Sequence, residues 1–187
     1  VGIEAGQQKG QQRKHDAFAQ PVVQECEERT QKGGNPWTLQ AGRFQKRLTF
    51  PQAMAMALRR IQSTDAALLR EIYTDAIENQ ARGLYSEEQI QAWISLAWLP
   101  GVLDRWFREG DGWISGEGAA FAVRQPEDRL ALLYSRACAS RQGHGTALVK
   151  RIECDAHADG VRQLHAEASL LSRPLLERCD WRCSRVE

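Results

Sequence analysis

The pattern of apolar and polar positions changes sharply at about residue 53. Residues 1–53 contain polar, low-complexity stretches such as GQQKGQQRKH and the loop signal KGGNP, with few apolar residues at regular spacing. Apolar positions then recur at helix and strand periods. We therefore predict a disordered or non-native N-terminal extension over residues 1–53 and one folded domain over residues 54–187. The two methionines, Met54 and Met56, stand at this boundary, where we expect the native chain to start.

The first half of the domain is predicted to be a short strand followed by helices. Residues 58–61 favour the strand, and Ser63-Thr64-Asp65 is typical of a helix N-cap. Ser86, with Gln89 three residues later, predicts a capping box that starts a second helix, and a short third helix follows Pro100-Gly101. An apolar stripe marks the first helix and is formed by Ala67, Leu68, Ile72, Tyr73 and Ile77.

The second half alternates strands with helices. A hairpin is predicted around Gly116-Glu117-Gly118, but it is short, and we expect its pairing to be poor. A buried strand, a helix that opens at Thr146, a strand, a helix and a last strand follow. These elements are predicted over residues 112–125, 130–134, 146–159, 161–168, 172–179 and 181–186. We expect the edge of the final sheet to be unpaired where the chain stops.

Composition and charge narrow the classes of function. The chain has 187 residues, 42% of them hydrophobic and 26% charged, and a net charge of +1. This balance indicates no special affinity for nucleic acid or membranes, and no apolar run approaches the roughly 20 residues of a membrane span. We expect a cytoplasmic protein with reduced thiols and no metal site, since the spacing of Cys154 and His157 is not that of a zinc module. A basic tail that binds nucleic acid is the less favoured alternative for the extension.

The chemistry is concentrated in the segment RLALLYSRACASRQGHGTALVK, residues 129–150. A buried strand runs into a glycine-rich turn, Gly143-His144-Gly145, and then into a helix. The first N–H groups of a helix have no internal partner, and the helix dipole favours negative charge there. Glycines allow a phosphate to approach these groups and permit positive φ angles. The segment contains no G-x-x-x-x-G-K-[ST] motif. It is not a G-x-G-x-x-G motif either, because Leu148 stands where the third glycine would be. We predict a phosphate-bearing cofactor at residues 143–146.

Three patches of the sequence resemble one family. The segment SRQGHG, residues 140–145, is similar to the Q/R-x-x-G-x-G/A coenzyme A loop of the GNAT acetyltransferase superfamily. The segment HAEASLLSRPLLERCDW, residues 165–181, resembles the V-E-A-S-L-x-A-R-P-F-F-E-R-x-G-F pattern of small bacterial acetyltransferases of the YafP-like type. YSEEQI with Ala92-Trp93 resembles the Y-S-x-E-Q-L-x-A-W of the same branch. The resemblance covers about residues 57–185.

The resemblance implies a GNAT fold: an α/β (α+β) domain with a central, mixed, mostly antiparallel sheet flanked by helices, here with its C-terminal strand missing. It implies an N-acetyltransferase that transfers an acetyl group from acetyl-CoA to a primary amine of a small molecule or peptide by direct attack, without a metal. A homodimer is compatible with it. The implied cofactor-binding residues are Leu133, Tyr134, Ser135, Ser140, Arg141, Gln142, Gly143, His144, Gly145, Thr146 and Ser169.

The catalytic candidates depend partly on strand geometry. Glu167 lies on the strand face opposite Leu164 and Ala168 and is the candidate base, although a salt-bridged surface carboxylate is an equal alternative. Tyr134 is the candidate acid. Trp93 and Trp106 are candidates for the acceptor pocket, with core packing as their favoured alternative. Two positions depart from the family, since Ser140 replaces a Gln or Arg and Leu176 stands where many members have a tyrosine acid. A catalytically weakened acyl-CoA-binding or sensor protein is therefore the alternative function.

Overall fold

The larger sheet consists of four antiparallel strands arranged in chain order. The computed structural model describes residues 37–41 and 56–183. The strands are β2 (Leu58–Arg60), β3 (Asp111–Ser115), β4 (Ala120–Arg124) and β5 (Leu130–Ser135). The β3–β4 hairpin pairs over its whole length, from Ser115 opposite Ala120 to Asp111 opposite Arg124. The hairpin prediction is confirmed, and the expectation of poor pairing is wrong.

The smaller sheet has three strands in the order β6-β1-β7. Its strands are β6 (His165–Ala168), β1 (Trp37–Ala41) and β7 (Trp181–Cys183), and β1 is antiparallel to both neighbours. Strand β7 pairs with β1 on one side and with no described strand on the other, so it leaves the unpaired edge that the sequence predicts. Strand β1 falls within the predicted extension. Residues 1–36 and 42–55 lie outside the described residues, so the extension as a whole stays a prediction.

The helices begin where the capping signals place them, with small shifts. The capping box at Ser86 is confirmed: the Gln89 N–H donates to Ser86 Oγ at 3.3 Å, and the Ser86 N–H donates to Gln89 Oε1 at 2.9 Å. The first helix follows a 3-10 turn, where Asp65 accepts from the Gln62 N–H. The helices are α1 (Ala66–Gln80), α2 (Glu87–Ser95), α3 (Asp104–Glu109), α4 (His144–Ala158) and α5 (Arg173–Arg178).

Two apolar clusters cover the two faces of the four-stranded sheet. Successive side chains of a strand point to opposite faces, and β4 shows this clearly. Ala120 and Ala122 pack into the cluster that contains Leu148 and Ile152 of α4, whereas Phe121 and Val123 pack into the cluster formed with α1. On α1 the buried residues are Leu69, Ile72, Tyr73, Ala76 and Ile77, so the predicted stripe is correct at three positions, while Ala67 is exposed. None of the described helices is both long and apolar enough to cross a membrane.

Candidate functional site

A cleft opens where strands β5 and β6 separate. An isolated parallel bridge joins Arg129, just before β5, to His165, the first residue of β6. Beyond that bridge the described residues show no further pairing between the two strands. A cavity of about 150 Å³ lies in the cleft, with Leu133, Tyr134 and Ser135 of β5 on one side and Ala166 and Glu167 of β6 on the other.

The free edge of β5 presents backbone groups toward this cleft. The Arg136 N–H donates to the Ala119 carbonyl at 2.8 Å, so the backbone of Arg136 faces β4. Backbone groups of an antiparallel strand alternate in direction, and Leu133 and Ser135 therefore present their N–H and C=O groups away from β4. The open edge can accept an extended ligand in the way that it would accept another strand.

The glycine-rich turn forms the N-terminus of α4, which begins at His144, two residues earlier than predicted. Gly143 is the N-cap residue, with φ 94° and ψ −7°, a left-handed conformation that glycine adopts without strain. The Ala147 N–H donates to the Gly143 carbonyl, and no side chain caps the helix. The earlier N–H groups are thus left without an intrahelical partner at the positive end of the helix dipole.

Gly145 lies where α4 approaches the Leu175 side chain of α5. A Cβ atom at this position would lie 2.7 Å from Leu175 Cδ2, which is far inside normal contact distance. Both residues line a groove of about 910 Å³ that starts at the N-terminus of α4. Any side chain at residue 145 would therefore fill the groove or push the two helices apart.

Two arginines make the groove suitable for an anion. Arg141, at φ 60°, and Arg178, in the last turn of α5, both line it. Guanidinium groups beside free helical N–H groups are a favourable setting for phosphate. Arg178 is not among the predicted cofactor-binding residues, although it lies within a segment that resembles the family pattern. Ser140, Gly143, His144, Gly145 and Thr146 also line this groove, so most of the predicted cofactor residues lie together.

The turn is held to the sheet by polar contacts. His144 Nδ1 lies 2.9 Å from the Oγ of Ser115, which is completely buried at the end of β3. Gln142 Nε2 donates to the Cys138 carbonyl at 2.7 Å, and Gln142 does not line the groove. From α1, Asp75 Oδ2 accepts the Ala137 N–H at 2.7 Å. These contacts fix the N-terminus of α4 before any ligand binds.

Tyr134 lies between other aromatic rings. Its ring centroid is 4.6 Å from that of Tyr73 and 5.8 Å from that of Phe121. Burial raises the pKa of the Tyr134 hydroxyl above its usual value, although hydrogen bonds with Trp93 and Tyr73 act in the opposite direction. The hydroxyl is therefore protonated at neutral pH and can donate a hydrogen bond, while the raised pKa makes it a weaker acid than an exposed tyrosine.

Glu167 lines the cavity but has a partner. Its Oε2 lies 3.0 Å from Nη2 of Arg129, and 56% of its side chain is exposed. His165 Nδ1, on the same strand face, lies 3.8 Å from Asp128 Oδ2. The ion pair fits the alternative of a salt-bridged strand carboxylate, while the position in the cleft fits the candidate base. The role of Glu167 as the catalytic base therefore stays a prediction.

The remaining predicted residues fall in different places. Trp93 lines the inner cavity, whereas Trp106 packs beneath the Arg129 guanidinium at 5.7 Å and does not line it. Ser169 also lines the cavity, but its hydroxyl accepts the Ser172 N–H at 3.2 Å and so helps to start α5. Leu176, where the family often has tyrosine, is buried and apolar beside the same cavity.

These features define a mixed α/β protein with a glycine-capped helix N-terminus beside the cleft between two sheets. It resembles the crystal structure of a GCN5-related N-acetyltransferase from Rhodopseudomonas palustris at 27% identity and a TM-score of 0.63, over 66% of this chain and 79% of that one. A GCN5-related N-acetyltransferase from Ralstonia eutropha shares the fold at 21% identity and a TM-score of 0.51, over 71% of this chain and 96% of that one. No protein-family model matches the sequence, and no curated protein matches it either.

The chain has the fold of the GNAT superfamily of N-acetyltransferases and is similar to one of its members at 27% identity. The predicted GNAT fold is confirmed, with its antiparallel sheet flanked by helices. The YafP-like branch within the superfamily stays a prediction.

Proposed function

We propose that the protein transfers an acetyl group from acetyl-CoA to a primary amine of a small molecule or peptide by direct attack. The proposal is carried by one observation: a glycine-capped helix N-terminus opens into a groove that leads to the free backbone edge of β5. Bound acetyl-CoA supplies the acetyl group as a reactive thioester. The likeness to the Rhodopseudomonas palustris acetyltransferase, in sequence and in fold, supports the assignment.

The residues of the groove fit the charge and shape of coenzyme A. The N–H groups at the start of α4, together with Arg141 and Arg178, would hold its phosphates. Gly145 leaves the space that such a ligand needs next to Leu175. No described group of three or more His, Cys, Asp or Glu side chains is arranged to hold a metal ion, and the proposal needs none.

The edge of β5 supplies hydrogen-bond donors where the thioester carbonyl would lie. The outward N–H groups of Leu133 and Ser135 are held rigidly by the pairing of β5 with β4, so they need little reorganisation to stabilise negative charge on an oxygen. The Tyr134 hydroxyl lines the cavity and is the proposed proton donor to the departing sulfur, although the burial that raises its pKa makes it a weaker acid.

Glu167 is the proposed base that removes a proton from the acceptor ammonium, so that the neutral amine can attack the thioester carbonyl. The carboxylate lines the cleft and is exposed enough to act directly or through a water molecule. Arg129 orients it through their ion pair. Glu167→Gln keeps the shape and removes the base, so kcat is expected to fall by about 10²- to 10⁴-fold with little change in affinity for coenzyme A. Unchanged turnover would reject the role.

The part of the site that would hold the acceptor amine is narrow. The inner cavity holds about 150 Å³ and includes Trp93, Ala131 and Leu171 among its walls. A cavity of this size suits a slender aliphatic or peptide amine better than a bulky ring system. Trp106 would contact the acceptor only outside this cavity, where it lies beneath Arg129.

Calorimetric titration of acetyl-CoA and desulfo-CoA into the full chain tests the cofactor site directly. Gly145→Val is expected to abolish binding because its side chain would occupy the groove. Ala158→Val, at the exposed C-terminal end of α4, is the control, since it adds a branched side chain to the same helix away from the groove. Normal binding by Gly145→Val in a folded sample would place the cofactor elsewhere.

Leu176 favours a second candidate function, that of an acyl-CoA-binding or sensor protein with weakened catalysis. The side chain is buried beside the cavity and can neither donate nor accept a proton. Ser169 and Glu167, which also line the cavity, are already engaged by Ser172 and Arg129. A screen of primary amines separates the two functions. Binding of acetyl-CoA without turnover of any amine would favour the sensor.

A further inference from the structure

Gln80, the last residue of α1, lies at the junction of the two cavities. It lines both the groove at the N-terminus of α4 and the inner cavity between β5 and β6. Its side-chain Nε2 donates a hydrogen bond to the Ser135 carbonyl at 2.6 Å. No role was assigned to Gln80 from the sequence, because the two residues are far apart in the chain.

The bonded carbonyl belongs to the free edge of β5. The Ser135 backbone points away from β4, since the next residue, Arg136, is the one that donates to Ala119. In the described residues β6 does not pair with β5 at this level, and Gln80 takes the position of a strand partner. Ser135 itself lines both cavities, so this carbonyl lies where they meet.

Any extended ligand that runs from the groove into the inner cavity must pass this carbonyl. The pantetheine arm of coenzyme A contains two amide groups, and an amide N–H that pairs with an open strand edge needs a carbonyl acceptor. In the free protein the Gln80 amide supplies the same kind of donor at Ser135. The two donors therefore compete for one acceptor.

We propose that Gln80 is a positioning residue that holds the Ser135 carbonyl in the free protein and releases it to the amide of an acyl-pantetheine arm. This inference rests on the proposed function. The exchange leaves the surrounding loop in place, because Asp75 still accepts the Ala137 N–H and Glu71 still pairs with Arg136 at 3.1 Å. Loss of the Gln80 bond is thus compatible with an intact fold.

The test compares two ligands in one calorimetric experiment. Desulfo-CoA carries the pantetheine arm, whereas 3′-phosphoadenosine 5′-diphosphate ends at the diphosphate. Gln80→Met keeps the length of the side chain and removes the donor. It should bind desulfo-CoA about two- to tenfold more tightly than the wild-type chain, as expected for one competing hydrogen bond. Its affinity for the nucleotide fragment should not change. Gln80→Ala should behave in the same way if the donor rather than the side-chain volume matters.

Asn79→Ala provides the matched control, because Asn79 is an exposed amide one residue earlier that bonds Asp75 instead. It should bind both ligands as the wild-type chain does. Equal or weaker binding of desulfo-CoA by Gln80→Met, or a parallel change for both ligands, would overturn the inference while leaving the cofactor groove in place. Failure of the wild-type chain to bind either ligand would instead refute the groove, and the inference with it.

Discussion

The two sheets of the protein are assembled in opposite ways. The larger sheet follows chain order from β2 to β5, and β3, β4 and β5 are joined by short turns. The smaller sheet takes its central strand, β1, from the start of the described chain and its two outer strands from the end. Gln40, for example, pairs with both His165 and Arg182.

This difference determines which segments of the chain each sheet needs in order to form. Hairpins close small loops, so the part of the larger sheet from β3 to β5 can form from local contacts. Strands β6 and β7 do not pair with each other in the described residues, and β1 is the strand that joins them. The smaller sheet, which supplies the β6 side of the candidate site, therefore requires a segment that is distant in sequence.

Removal of β1 is expected to have the largest effect on the protein. A chain that starts at Met54 would lose the residue pairs that β1 forms with β6 and with β7 and would expose the edges of both strands. With about 0.5–1.5 kcal/mol for each hydrogen bond lost, the destabilisation should reach about 5 kcal/mol or more. Thermal unfolding followed by circular dichroism measures this effect.

A chain that starts at Trp37 is the control for that truncation. It retains β1 and should unfold at nearly the same temperature as the full chain. If the chains that start at Trp37 and at Met54 have equal stability, β1 contributes nothing to the fold. In that case residues 1–53 are the dispensable extension that the sequence predicts.

The same contrast explains what the sequence could predict. The capping box at Ser86, the β3–β4 hairpin and the turn at Gly143 are encoded by residues close to one another, and each prediction is confirmed. The pairing of β1 is not encoded in this way, because the sequence WTLQA does not indicate which distant strands it pairs with. Gln80 and Arg178 were missed for the same reason, since only the folded chain brings them to the groove.

The larger sheet should be most sensitive at Phe121. This side chain is completely buried and packs against Phe107 and Tyr134, with ring centroids 6.2 and 5.8 Å apart. Phe121→Ala is expected to lower the free energy of unfolding by about 3–5 kcal/mol. Denaturant unfolding gives the value, and Phe121→Leu should cost clearly less. A loss below about 1 kcal/mol for the alanine variant would mean that the aromatic cluster is not part of the core.

Glu153 makes the anchoring of the smaller sheet sensitive to pH. Trp181 of β7 donates its Nε1 hydrogen to Glu153 Oε1 on α4 at 2.7 Å. Burial raises the pKa of Glu153, an effect that Trp181 and Lys150 partly oppose and Asp180 reinforces. The folded state therefore holds this proton more tightly than the unfolded state does, and this contribution to stability is lost as pH rises above the usual carboxyl pKa.

Glu153→Gln isolates that contribution. The amide keeps an acceptor for Trp181 but does not titrate, so the variant should be more stable than the wild-type chain at neutral pH and closer to it at pH 4. Unfolding curves at several pH values measure the difference. Glu78→Gln, at an exposed carboxylate of α1 that does not contribute to the pKa shift of Glu153, is the control. A Glu153→Gln variant with the same pH dependence as the wild-type chain would rule out Glu153 as its source.

The smallest effect is expected where an ion pair connects the two sheets. Arg129 precedes β5, Glu167 lies on β6, and their contact is largely exposed. Glu167→Gln should change the free energy of unfolding by less than about 1 kcal/mol, as exposed pairs usually do. Glu71→Gln is a matched control, because Glu71 pairs with Arg136 at 3.1 Å with similar exposure. A much larger loss for Glu167→Gln would show that the ion pair holds the sheets together. Equal small losses would instead mean that the two sheets are held together by the apolar cluster to which Leu130 and Ala166 belong. Any loss of turnover in Glu167→Gln would then be chemical rather than structural.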